Sequence, residues 1–151
     1  MDSKEIVQAL MDSIQKGHFE KAKTYLADDF QFNGIFPEPI NAETWLGMSF
    51  SLKLAFAHLD YRFMVVSAEG DIVNATMQLS GINRGAFDLT SINRGVISAT
   101  QKNFSTATQN NKITVRDEKV SSWVVEPTEG AGLKEILNQL GVKLPKIQNN
   151  V

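Results

Sequence analysis

The chain has no cysteine among its 151 residues. Disulfides, thiolate nucleophiles and cysteine-ligated metals are therefore excluded. Only two histidines are present, His18 and His58, which leaves a metal site short of ligands, and no metal is expected. Neither sign of charge dominates: fifteen basic and seventeen acidic residues give a net charge of −2. The clustered lysines and arginines that non-specific nucleic-acid binding requires are missing. There is no long hydrophobic run either. The most apolar-looking stretch, 52–59, is interrupted by Lys53 and His58 and is far too short to span a bilayer. The opening Met1-Asp-Ser-Lys-Glu5 lacks the apolar core of a signal peptide, so a cytoplasmic location is expected. No glycine-rich phosphate loop leads from a strand into a helix, and no cofactor is expected.

The composition that remains is 42% hydrophobic and 21% charged, ordinary for a globular chain. A single domain over 1–151 is expected, burying roughly 70% of its unfolded surface. Ile6, Leu10 and Ile14 mark an amphipathic helix, with Asp2 and Glu5 as a capping box and Gly17 as its stop. A second helix is predicted over 19–26, broken by Asp28-Asp29, and a short strand over 30–32. Gly34, Pro37 and Pro39 then force a loop. Asn41 caps a third helix predicted over 42–57. Its apolar positions cover more than half its girth, which predicts near-complete burial.

From Tyr61 the period becomes two. Strands are predicted over 61–67 and 72–80, joined at Glu69-Gly-Asp71. In the second, Val73, Ala75, Met77 and Leu79 face one side, and Asn74, Thr76, Gln78 and Ser80 the other. The stretch 81–104 is irregular and holds an echo, Ile82-Asn-Arg-Gly85 and Ile92-Asn-Arg-Gly95. Chance or turn chemistry explains so short an echo, and two corners of one hairpin is the other reading. Strands over 112–116 and 119–126 and a helix over 133–140, closed by Gly141, complete an α+β plan. Its helices are segregated to one face of a mostly antiparallel sheet.

In that order the chain resembles the nuclear transport factor 2-like superfamily, and within it the SnoaL-like polyketide cyclase group. The resemblance is carried by Leu26-Ala-Asp-Asp-Phe30, Ala55-Phe-Ala-His-Leu59 and Glu69-Gly-Asp71. It continues through Gly81-Ile-Asn-Arg-Gly85, Thr114-Val-Arg-Asp-Glu-Lys-Val120 with Trp123, and Gln139-Leu-Gly141. It implies a cystatin-like cone: a curved antiparallel sheet wrapped around the N-terminal helices, a C-terminal helix and an internal cavity. Homodimers packed through the convex sheet face are implied as well. Cyclases of this kind show Gly-Thr-His-x-Gly where Gly81 to Gly85 stands, and here Asn83 takes the histidine position. They also place an aspartate about four residues after the late tryptophan. Here Glu126 comes three residues after Trp123, and Pro127 occupies the expected place.

Several residues can carry chemistry. Glu126 is either a base with a raised pKa or an ordinary strand-end carboxylate. His58 with Asp60 is either an oriented imidazole base or a solvated helix end, and His18 beside Gly17 reads as the latter. Arg84 with Asp88 is either a carboxylate clamp or a surface pair. Arg62 and Arg116 face either the cavity or the dimer. Phe32, Trp45, Phe56, Phe63 and Trp123 are core residues that double as a pocket wall. Asn33, Asn74, Gln78, Asn83 and Thr108 are the polar groups available to orient a ligand. Gly130-Ala-Gly132 is either an anion site at a helix start or a flexible link. The expected ligand is a small hydrophobic molecule. Two functions fit: acid–base chemistry on a hydrophobic carbonyl compound, with Glu126 or His58 as base and Asn83 or Gln78 polarising the carbonyl, or non-catalytic binding or dimerisation.

Overall fold

The computed structural model describes residues 1–36 and 38–147. Pro37, half of the proline loop expected above, lies outside the described residues. The helix α1 (Ser3–Lys16) starts where Asp2 Oδ1 accepts the Glu5 amide at 2.8 Å and stops at Gly17, whose φ of 77° is left-handed. These are the predicted caps. Then come α2 (Phe19–Lys23), β1 (Leu26–Asn33), β2 (Ile40–Asn41), α3 (Ala42–Ala55) and β3 (Phe56–Asp60). The middle of the chain forms β4 (Met64–Glu69), β5 (Ile72–Met77), β6 (Ser80–Asn83), β7 (Phe87–Asp88) and β8 (Val96–Ile97). It ends with β9 (Asn103–Ser105), β10 (Gln109–Arg116), β11 (Lys119–Val125) and α4 (Leu133–Leu140).

Six strands form the main curved sheet in the order β2-β1-β11-β10-β5-β4. β1 runs parallel to β11, so the sheet is mixed rather than wholly antiparallel. Register breaks in β1, β4 and the β10–β11 ladder bend it, since an extra residue in one strand increases local twist. Val73, Ala75 and Met77 of β5 face inward with Ile113, Val115, Val120, Trp123 and Val125, all buried. The helix α1 packs its Ile6, Leu10 and Ile14 stripe over this concave face, and α3 lies against β1. Full burial of each such side chain contributes roughly 1.5–3 kcal/mol. A second sheet, β3-β6-β9, and the β7-β8 pair extend the wall. Gln139 of α4 exchanges hydrogen bonds at 2.9 Å with both the amide and the carbonyl of Ser105. Its side chain thus acts as one more strand partner for β9.

Three expectations need correction. The second helix ends at Lys23, and Leu26-Ala-Asp-Asp-Phe30 belongs to β1 because this segment pairs with β11. The third helix ends at Ala55. Residues 56–59 are a strand on β6, for a short apolar run fits a helix face and a buried strand alike. That helix is also less buried than its composition implies: Phe50 and Leu54 are 50% and 63% exposed, because its neighbours leave that side uncovered. The chance or turn-chemistry reading of the Ile-Asn-Arg-Gly echo stands, for the two segments differ. Asn83 ends a strand and is fully buried, whereas Asn93 is left-handed after a short 3-10 turn. They are not corners of one hairpin.

Candidate functional site

Between the concave sheet, α1, α3 and the start of α4 lies a cavity of about 50 Å³. Phe32, Trp45 and Trp123 make its aromatic wall. Their rings are in mutual contact, with Phe32 stacked on Trp45 and Trp45 tilted on Trp123, each at 5.7 Å between centroids. Met11 of α1 and Met48 and Leu52 of α3 supply the aliphatic side. Ile35 and Phe36 from the loop after β1, with Gly132 and Leu133, close the end.

Four polar side chains line this apolar space: Ser49, Tyr61, Thr106 and Gln109. Two are committed. Ser49 Oγ donates to the Trp45 carbonyl at 2.8 Å, and Thr106 Oγ1 accepts the Leu79 amide at 3.1 Å. The Tyr61 hydroxyl is buried with no hydrogen-bond partner among the described residues. Burial drives its pKa far above the ordinary phenol value, opposed in smaller part by the neighbouring Ser49 hydroxyl, which does not meet hydrogen-bond geometry with it. The phenol therefore stays protonated and acts as a donor. Gln109 is 2% exposed and lines the same cavity.

The surroundings hold these groups in place. Gln15 of α1 accepts the Tyr61 amide at 2.9 Å and donates to the Leu59 carbonyl at 2.6 Å, while the Tyr61 carbonyl accepts from Gln78 N at 3.0 Å. Asn111 accepts the Trp123 indole N–H at 2.8 Å and donates to the Gln109 carbonyl at 3.1 Å. Gln15 and Asn111 were not singled out from sequence; Gln78 was, as a ligand-orienting group, and instead its backbone amide supports Tyr61. Tyr61 had one signal: in the predicted alternation it shares a face with Phe63.

Of the predicted site residues, Trp45 and Trp123 line the cavity. Phe63 does not, but packs on Trp123 at 5.7 Å between ring centroids. Asn33, Gln78 and Glu126 follow or flank buried residues and so point to the outer face of the sheet. Glu126 is exposed and accepts from Asn110 Nδ2 at 3.0 Å. His58 and Asp60 are exposed too. His58, at φ 54°, sits in the β3–β6 register break and borders a separate surface groove, and Asp60 accepts the Arg62 amide. Thr108 is exposed, and Thr106, two residues earlier, lines the cavity instead.

Asn83 is fully buried outside the cavity. Its Nδ2 donates to the carbonyls of Ala55 (3.3 Å) and Gly85 (2.9 Å), and its Oδ1 accepts from Thr100 N (2.8 Å) and Oγ1 (2.9 Å). It is a structural tie with no hydrogen-bonding capacity left for a ligand. Phe56 is likewise core, packed on Phe87 and Phe104. Arg116 pairs with Asp29 on the surface, which holds that carboxyl below its usual range. Asp88 caps the turn at Thr90, whose hydroxyl and amide lower its pKa, and is not matched to Arg84. Among the described residues no three His, Asp or Glu converge as a metal site, and no helix is long and apolar enough to cross a membrane.

Neither a family model nor a curated protein matches the sequence. Solved structures do. A candidate polyketide cyclase of Pseudomonas putida KT2440 superposes with a TM-score of 0.65 at 14% identity, covering 92% of this chain and 98% of that one. A candidate SnoaL-like polyketide cyclase of Jannaschia reaches 0.63 at 19% identity over 82% and 83%. An epoxide hydrolase from M. tuberculosis reaches 0.63 at 13% identity over 92% of each chain. The chain has the nuclear transport factor 2-like fold.

Proposed function

We propose that the cavity binds a small, mostly apolar molecule bearing one hydrogen-bond acceptor, such as a carbonyl oxygen. The observation that carries this reading is the Tyr61 hydroxyl, a donor left without a partner inside an aromatic and aliphatic enclosure. An unmet buried polar group costs roughly 1–3 kcal/mol, and an acceptor on a ligand relieves that cost. Gln109, on the same lining, can supply a second contact. Binding is favoured over acid–base chemistry by the lining itself. It includes no carboxylate or imidazole, and the protonated phenol is a poor base. The named neighbours span cyclase and hydrolase chemistry on one fold, so the fold does not decide between the two readings.

Both tryptophans of the chain line the cavity, so intrinsic fluorescence reports its occupancy directly. Titration with small ketones is expected to give saturable quenching. Tyr61→Phe should weaken that binding about 3- to 10-fold while leaving the unliganded protein as stable or about 1 kcal/mol more stable in urea. Equal affinity in wild type and variant overturns the assignment.

A second reading concerns assembly. We infer a homodimer through the outer face of the main sheet at its edge strand β4, where Met64 and Val66 are 62% and 65% exposed. Apolar side chains exposed together on a sheet mark a contact surface. Sedimentation at micromolar concentration should find a dimer, and a monomer alone rules it out.

A further inference from the structure

The interior cavity does not end at a thick wall. Ile35, Phe36 and Leu133 line it on one side and, on the other, line an outer groove of about 820 Å³. The groove floor continues with Leu137 of α4 and with Val142 and Leu144 beyond it. Charged side chains, including Lys134 and Lys143, stand among its lining. One layer of side chains thus separates an apolar chamber containing a buried, unpartnered donor from an open groove with an apolar floor and charged side chains on its lining.

The two volumes pose a contrast. Ligand pockets commonly enclose about 300–1,000 Å³. The inner chamber, at about 50 Å³, takes a few heavy atoms, while the groove has the length the chamber lacks. The backbone beside the partition is built for such an arrangement. Gly34, with φ 108°, precedes Ile35, and Gly130 and Gly132, with φ 82° and 92°, precede Leu133. A Cβ at Gly132 would meet nothing within 4 Å, so open space adjoins the partition on the α4 side.

We propose that chamber and groove are two parts of one site for an elongated amphiphile, a linear carbonyl compound with a medium-length alkyl chain. Its carbonyl lies inside against Tyr61 and Gln109. Its chain passes the Phe36–Leu133 partition and lies along Leu137, Val142 and Leu144. This rests on the binding reading above and adds the substrate class. The chemistry sets the direction: among the described residues the only unmet buried hydroxyl is inside, and the groove offers apolar surface for a tail. The partition then acts as a length filter. A short ketone fills the chamber alone, and a longer one gains contact only by displacing Phe36.

The test is a series of linear methyl ketones, from butanone upward, titrated against the wild-type protein by tryptophan fluorescence. Each methylene buried in the groove should tighten binding by up to about fourfold. The gain is expected to persist well beyond the length that fills the chamber. An affinity that stays flat after the shortest ketones, while butanone still binds saturably, overturns the proposal and leaves the binding reading standing. Absence of saturable binding at every length defeats both. Asn138→Phe places a ring from an exposed helix position into the groove without adding a tryptophan to the fluorescence signal. It should abolish the ratio of long-chain to short-chain affinity, and an unchanged ratio counts against the groove as the tail site.

Discussion

Asn83→Asp should destabilise the protein by roughly 3–5 kcal/mol at neutral pH, the range for a buried charge left without a partner. The side chain is fully buried. Its oxygen accepts two hydrogen bonds from Thr100, and aspartate keeps that half of the tie. Its amide nitrogen donates to the Ala55 and Gly85 carbonyls, and aspartate turns this donor into a second oxygen facing two carbonyl oxygens. Burial and carbonyl repulsion both disfavour the carboxylate, so its folded pKa rises above the unfolded value of about 3.9. The sign follows. Below the unfolded pKa the new side chain is protonated in both states and can donate again, so the variant approaches wild type. As pH rises towards the folded pKa the deficit grows by about 1.4 kcal/mol per unit, and above that pKa it levels off. Urea unfolding of both proteins at a series of pH values reads this directly. A deficit independent of pH would refute the hydrogen-bond assignment.

Gly34→Ala should cost roughly 2–5 kcal/mol, from left-handed strain and overpacking together. At φ 108° an L side chain is strained in any surroundings, and here its Cβ would overlap the Val125 carbonyl and press on the Val125 side chain at 3.1 Å. Val125 is fully buried in β11 and has no room to retreat. The alternative to unfolding is to move the loop, which carries Ile35 and Phe36 off the end of the cavity. Acrylamide should then reach Trp45 and Trp123 more readily. Gly70→Ala is the control: its φ is 59°, but nothing lies within 4 Å of a Cβ there, so only the conformational cost remains. Equal melting temperatures for the two variants would show that the close approach to β11 has no energetic weight.

How much of this was legible in the sequence differs between scaffold and site. The ends of α1 were, because Asp2 and Gly17 act on amides and carbonyls three or four residues away. The burial of Val73, Ala75, Met77 and Leu79 was, because alternation is a local property of a strand. The site was not. Ser49, Tyr61, Thr106 and Gln109 come from separate segments, and only the fold brings them together. Asn33 and Glu126 fail as pocket residues through phase alone: each adjoins a buried residue, Phe32 or Val125, and so faces away. Asn83 shows a different limit. Its place in the family pattern implied a group facing the ligand, but its amide had already been taken up by Ala55, Gly85 and Thr100.

The parallel pairing of β1 with β11 also bears on how the molecule is made. β1 ends at Asn33 and β11 begins at Lys119, so the strand emerging early from the ribosome must wait for a partner near the end of the chain. Until then β1 and its short neighbour β2 lack the ladder that joins them to the rest of the sheet. Ladders that span most of a chain form slowly, and unpaired strands invite association with other chains. The exposed Asp28 and Asp29 within β1 put two negative charges on the waiting edge, where they repel another copy of the same strand.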